Sequence, residues 1–232
     1  MDLTSGQALE YRHLIRGPNG DTWTRALANY LVRLSQGVGT RMPTGTNTVF
    51  FISKNATPQG SKVTYAQMVA SIRPNKSEVN RVRVTVGGNH LEFLGATTTH
   101  CAGLTTTKCL INSTISTPGA RFMTLDIKYF YYGTAMARYE YMKLALACIP
   151  DKIIEQYNLN TPSSDGWVYL NISKSMPGLK QSGRIANDRL KAHLAKFGFA
   201  PVPRTPALWK HNIKPIWFSL VVDDFGVKYI RK

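Results

Sequence analysis

The chain has thirteen Asp and Glu residues against twenty-nine Lys and Arg, so where each acid sits is informative. Three sit in apolar runs. Asp126 lies within Leu125-Asp126-Ile127, and Asp223-Asp224 follow Leu220-Val221-Val222. A carboxylate taken out of water is costly unless it is paired, hydrogen-bonded or metal-bound. Two apolar strands that each deliver an aspartate could build a site for a hard cation. Mg²⁺ takes one or two carboxylates and completes its shell with water and substrate phosphates. Two such ions could activate an attacking hydroxyl and stabilise a leaving pyrophosphate in line. Taken singly, Asp126 reads equally well as a strand residue and Asp223-Asp224 as a turn.

The elements that must position these acids are legible in part. Residues 22–35 predict a helix, with Trp23, Leu27, Tyr30, Leu31 and Leu34 at 3–4 spacing, Asp21 as N-cap and Gly37 past the end. Residues 35–60 read as loop, strand, loop around Val49-Phe50-Phe51-Ile52. Residues 79–86 alternate, Val82, Val84 and Val86 on one face and Arg81, Arg83 and Thr85 on the other. Gly87-Gly88-Asn89 signals a hairpin, with Leu91 and Phe93 starting the return strand. Residues 122–132 read as a strand, and residues 158–166 as a turn-rich connector. Residues 182–197 read as a helix capped by Ser182, with Ala186, Leu190, Leu194 and Phe197 on its apolar face and Gly198 at its end. Residues 216–222 and 225–230 read as two strands of a hairpin with the acids at its tip. Helices and strands mix without a βαβ rhythm, which predicts an α+β fold.

Charge narrows the partner. The 232 residues carry a net charge of +16, and long windows lack acids altogether. Between Asp21 and Glu78 there is none, while Arg25, Arg33, Arg41, Lys54, Lys62, Arg73 and Lys76 fall in the gap. Such a balance suits a polyanion such as nucleic acid. Cys101, Cys109 and Cys148 are spaced for neither a disulfide scaffold nor a zinc motif. The N-terminal residues are polar, and no apolar run approaches the roughly 18 residues of a membrane span. The expectation is an intracellular chain, cytoplasmic or nuclear, with no membrane partner; nothing specifies its oligomeric state.

Three segments occur in a telling order: FMTLDIKYFYYG, SMPGLKQSGRIANDRLKAHLAKFGF and SLVVDDFGVKYI. The set resembles the reverse transcriptase domain of copia-type LTR retrotransposons over nearly the whole chain. Leu125-Asp126-Ile127-Lys128 is similar to that family's L-D-V-K strand. Gly178-Leu179-Lys180-Gln181 with Arg184 is similar to its G-L-K-Q-A-P-R element, and Val222-Asp223-Asp224 to its V-D-D. Arg81-Val82-Arg83-Val84 is similar to a strand of its fingers, and Thr205-Pro206-Ala207-Leu208-Trp209 to the segment before its last motif.

The resemblance implies a right-hand polymerase architecture whose antiparallel palm sheet packs with helices. Residues 1–19 would be an N-terminal extension, 20–115 fingers-like, and 116–232 an incomplete palm with the thumb absent. Asp126 and Asp223 would be the principal ligands of Mg²⁺, or of Mn²⁺ in its place, with Asp224 accessory. Tyr131 would lie under the sugar of the incoming nucleotide, with Tyr129 or Tyr132 as competitors for that role. Arg81 and Arg83 would reach the triphosphate. Gly178, Lys180 and Gln181 would line nucleotide and template. The implied partners are an RNA template, a DNA primer and a dNTP. The sequence also departs from the family. Val221 stands for the usual Tyr, Pro177 for another Tyr, and Gly183 for a Pro. The chain ends eight residues after Asp224, so the expected domain is C-terminally truncated and inactive by itself. The alternatives are a catalytically dead relic that binds nucleic acid nonspecifically, and an unrelated basic RNA-binding protein. The last predicts Asp126 and Asp223 far apart.

Overall fold

The computed structural model describes residues 10–40, 42–160 and 165–230. Residues 1–9 of the N-terminal extension, Arg41, residues 161–164 of the 158–166 connector and residues 231–232 lie outside the described residues. In chain order the elements begin with helices α1 (Tyr11–Leu14) and α2 (Gly20–Leu34), then strands β1 (Val49–Ile52), β2 (Val63–Ile72) and β3 (Asn80–Val86). Helix α3 (Leu104–Ile115), strands β4 (Ala120–Asp126) and β5 (Ala135–Ala145), helix α4 (Asp151–Gln156) and strand β6 (Trp167–Lys174) follow. Helix α5 (Ser182–Lys196) and strands β7 (Phe199–Pro201), β8 (Leu208–His211), β9 (Ile216–Val221) and β10 (Asp224–Ile230) close the chain. The fold is mixed α+β. Among the described residues no helix is long and apolar enough to cross a membrane.

The chain divides into two interleaved units, Met1–Leu94 with Tyr131–Ser182, and Gly95–Phe130 with Gly183–Lys232. The segment after β4, from Tyr131 to Ser182, thus belongs to the first unit.

The first unit is built on a sheet ordered β1-β6-β5-β2-β3. Its pairs are antiparallel except β2 with β5. Helix α2 packs on β3. It forms because Trp23, Leu27, Tyr30, Leu31 and Leu34 recur on one face, and all are buried. Each such side chain contributes about 1.5–3 kcal/mol by leaving water. The helix starts one residue before the expected cap, so Asp21 lies in its first turn, where its charge complements the helix dipole. Gly37, at φ 99°, ends the approach with a Cβ position only 2.4 Å from the Met42 carbonyl oxygen.

The alternation in β3 holds, with Val82, Val84 and Val86 buried. Its partner differs from the expected return strand. β3 pairs with the preceding β2, from Ala66 opposite Val86 to Ile72 opposite Asn80. Gly88–His90 instead forms a single 3-10 turn, and no strand is assigned over residues 91–103. The glycines serve close packing rather than a turn. A Cβ on Gly88 would lie 1.9 Å from the Gly178 carbonyl oxygen, and one on Gly178 would lie 2.1 Å from that of Val86. Gly178 has φ +100°, and the Val86 N–H donates to the Pro177 carbonyl at 3.0 Å.

The second unit has an all-antiparallel sheet ordered β4-β10-β9-β8-β7. Its core is a small cluster of Trp209, Phe218, Leu220 and Val227, against which Leu190 and Leu194 of α5 pack. Phe197, expected on that apolar face, is 60% exposed and rests on His193 instead. Ser182 does not act as a simple cap; its hydroxyl donates to the Met176 carbonyl and accepts from the Met176 N–H. The strand expected over residues 122–132 stops at Asp126. The ladder to β10 runs out there, and Tyr129, at φ 60°, cannot continue an extended chain.

Candidate functional site

The hairpin of β9 and β10 brings two of the three aspartates together. β10 begins at Asp224, directly opposite Asp126 on β4. The next step of the register sets Asp223 against Ile127, whose N–H donates to the Asp223 carbonyl at 3.2 Å. Opposed residues of an antiparallel pair present their side chains to one face of the sheet. Asp126 and Asp224 therefore share a face, with Thr124 opposite Gly226 and Phe122 opposite Lys228 next along it. Asp223, expected as a principal ligand, lies in the turn, and Asp224, expected as accessory, is the one that faces Asp126. The expectation that Asp126 and Asp223 lie far apart is contradicted by this ladder.

The turn itself is strained. Val222 precedes Asp223 at φ 60°, a left-handed conformation that a β-branched residue adopts at a cost of about 1–3 kcal/mol. The tight Val221–Asp224 reversal requires it, because Asp224 pairs back with Val221.

The acids are not buried. Asp126 and Asp224 are exposed and Asp223 is half-buried. Strand β4 is an edge strand, and its Leu125 is 49% exposed. The apolar letters around Asp126 suggested a desolvated carboxylate; the edge position keeps it in water instead. What the geometry supplies is like charge on directly opposed residues, which is unfavourable by roughly 0.2–1 kcal/mol and is relieved by a cation. Two opposed carboxylates match the one or two that Mg²⁺ takes from protein. Among the described residues no three His, Cys, Asp or Glu side chains gather as a metal-binding group.

The remaining expected residues belong to the first unit. Arg81 and Arg83 lie on β3, opposite Ser71 and Val69. Arg83 is exposed. Arg81 is half-buried, and its Nε is covered with no hydrogen-bond partner. Burial, then the charges of Arg83 and Arg73, hold the Arg81 pKa below its ordinary value. Tyr30 and Tyr132 hydrogen-bond through their hydroxyls near these arginines, and burial raises the Tyr132 hydroxyl well above its usual range. Tyr131 is half-buried in a turn, its carbonyl accepting from the Thr134 N–H at 3.0 Å. Gly178 and Lys180 are exposed. Gln181 is buried, and its amide donates to Glu140 at 3.4 Å, so it supports the fold from inside. The role of Glu140 was not signalled by sequence, since it is one acid in the charged run Arg138-Tyr139-Glu140.

No family model and no curated protein sequence matches the chain.

Proposed function

We propose that the chain is a nucleic-acid-binding α+β protein of the reverse-transcriptase type, whose second unit carries a carboxylate pair for Mg²⁺-dependent nucleotidyl transfer. The observation that carries the reading is Asp126 and Asp224 on opposed positions of β4 and β10, at the tip of a strained hairpin. The ordered motifs around them and the net charge of +16 support it. In the proposed reaction the primer 3′-hydroxyl oxygen bonds the α-phosphorus of a dNTP, the bond to the β-phosphate oxygen breaks, pyrophosphate leaves and the hydroxyl proton passes to solvent. Bound Mg²⁺ would supply the positive charge that offsets the triphosphate, and Asp126 and Asp224 would hold it.

A second reading, nucleic-acid binding without catalysis, is favoured by the net charge of +16, which requires no metal to attract phosphates. Titration of the chain with a dNTP, with and without Mg²⁺, separates the two. The catalytic reading expects Mg²⁺ to tighten dNTP binding and Asp126→Asn and Asp224→Asn each to abolish that gain. It expects RNA–DNA hybrid affinity to survive both substitutions. A dNTP affinity indifferent to Mg²⁺ supports the binding-only reading. Both readings expect hybrid affinity to fall steeply with salt, because it comes from Lys and Arg neutralising phosphates. A flat salt response contradicts both.

A further inference from the structure

A cavity of about 330 Å³ in the second unit combines two features that the carboxylate pair does not use. It is lined by Asn187 and Lys191 of α5, by the loop between β7 and β8 that carries Arg204, by His100 and by the ring of Trp209. Asn187 is only 5% exposed, and its Oδ1 is buried with no hydrogen-bond partner. An acceptor left in that state is destabilising until a donor reaches it, and native structures contain few of them. At the outer side of the same cavity, His100, Lys191 and Arg204 are exposed. Among the described residues none of the three has an ion-pair partner. The acid next to Asn187 in sequence, Asp188, is engaged by Arg184 at 2.6 Å.

The walls are fixed. Trp209 is buried and stacked on Phe218, with ring centroids 5.9 Å apart and planes 7° from parallel. Arg204 and Ala207 are both held at φ 58°, a left-handed conformation that non-glycine residues resist. The loop is pinned by Val202 N–H to the Leu208 carbonyl at 2.8 Å and by Leu220 N–H to that of Ala207 at 2.9 Å.

A ligand that fits must present an N–H at its inner end and an anion at its outer end. We propose that this cavity binds a nucleoside phosphate, its base amino group donating to Asn187 and its phosphate meeting Lys191, Arg204 and His100. A carboxamide matches the adenine edge, accepting from N6 and donating to N7. The volume lies at the lower end of the roughly 300–1,000 Å³ of small-molecule sites. Because Oδ1 is covered by its neighbours, binding includes a rotation of the amide about Cβ–Cγ that carries it to the cavity. Neither Asp126 nor Asp224 lines the cavity, so the site stands apart from the carboxylate reading. The nucleotide could be free or part of a strand; the chemistry is the same.

The test is calorimetric titration of the chain, without Mg²⁺, with adenosine 5′-monophosphate, inorganic phosphate and a short oligo(dA). Saturable binding of the monophosphate, roughly tenfold or more tighter than phosphate, is expected from one added buried hydrogen bond. Asn187→Leu should reduce it to the phosphate level and, with no nucleotide present, raise the unfolding midpoint, because the unpaired acceptor is gone. Lys191→Ala, an exposed change, should weaken monophosphate and phosphate alike. Asp126→Asn should leave this Mg²⁺-free affinity unchanged even where it abolishes the Mg²⁺-dependent gain in dNTP binding. Competition by oligo(dA) assigns the site to a strand, and its absence assigns it to a free nucleotide. The proposal is overturned if the monophosphate fails to bind, binds no tighter than phosphate, or binds Asn187→Leu as well as the parent chain.

Discussion

The two units hold themselves together differently. The first buries Leu27 and Leu31 of α2, Met142 and Leu144 of β5, and Leu170 and Ile172 of β6, all at 2% exposure or less. Among the largest fully buried side chains of the described residues, Leu220 alone belongs to the second unit. There the main cluster is Trp209, Phe218, Leu220 and Val227, and the edge strand β4 leaves Met123, Leu125 and Asp126 to solvent. Packed side chains specify the first unit. The end of the second unit that carries the aspartates is held by a backbone ladder and a tight turn, so its side chains are replaceable at little cost to the fold. The carboxylates there stay solvated, and a solvated carboxylate can exchange water for a cation at little cost.

Substitutions can break or sharpen this contrast, and the largest effect belongs to the first unit. Leu170→Ala, in a strand paired on both sides, should lower unfolding free energy by about 2–5 kcal/mol. Leu125→Ala, on the exposed edge, should change it by less than about 0.5 kcal/mol. Denaturant titration of both variants measures the ratio, and comparable losses would dissolve the contrast. Next is Gly178→Ala, which adds a Cβ 2.1 Å from a backbone oxygen at φ +100° and should cost about 1–3 kcal/mol. Val222→Gly goes the other way. It relieves the left-handed valine and should stabilise the hairpin by up to about 1 kcal/mol. Asp126→Asn should also stabilise slightly, by roughly 0.2–1 kcal/mol at low salt, and the gain should shrink as salt screens the pair.

The smallest effect is a pH dependence in the first unit. Burial raises the Glu140 pKa above its ordinary value, against the lowering influence of Arg138 and the Gln181 hydrogen bond. The folded chain thus holds this proton more tightly than the unfolded chain. Glu140 penalises folding at neutral pH, and the penalty disappears as pH falls through the ordinary Glu range. Glu140→Gln should therefore be more stable than the parent at pH 7 and equal to it in acid. A gain that persists in acid would assign the effect to packing.

Local patterns determined a good deal. The 3–4 spacing of apolar residues specified α2, and alternation specified β3, because side-chain direction follows backbone period whatever the partner. Asp223-Asp224 between two apolar runs specified the β9–β10 hairpin. Other features depended on what approached from elsewhere in the chain. Gly87-Gly88-Asn89 has the letters of a turn, yet Gly88 is required because the Gly178 backbone comes within contact of it, ninety residues later. FMTLDIKYFYY has the letters of a strand, yet it extends only as far as β10 pairs with it. The apolar residues around Asp126 suggested burial, but burial depends on whether a strand lies at the middle or the edge of a sheet, and no local pattern encodes that. For the same reason sequence singled out three aspartates, and only the register of β4 against β10 decided that Asp126 faces Asp224 rather than Asp223. Registers are set by pairings between distant segments, and side-chain partners across them exist only once the sheet has formed.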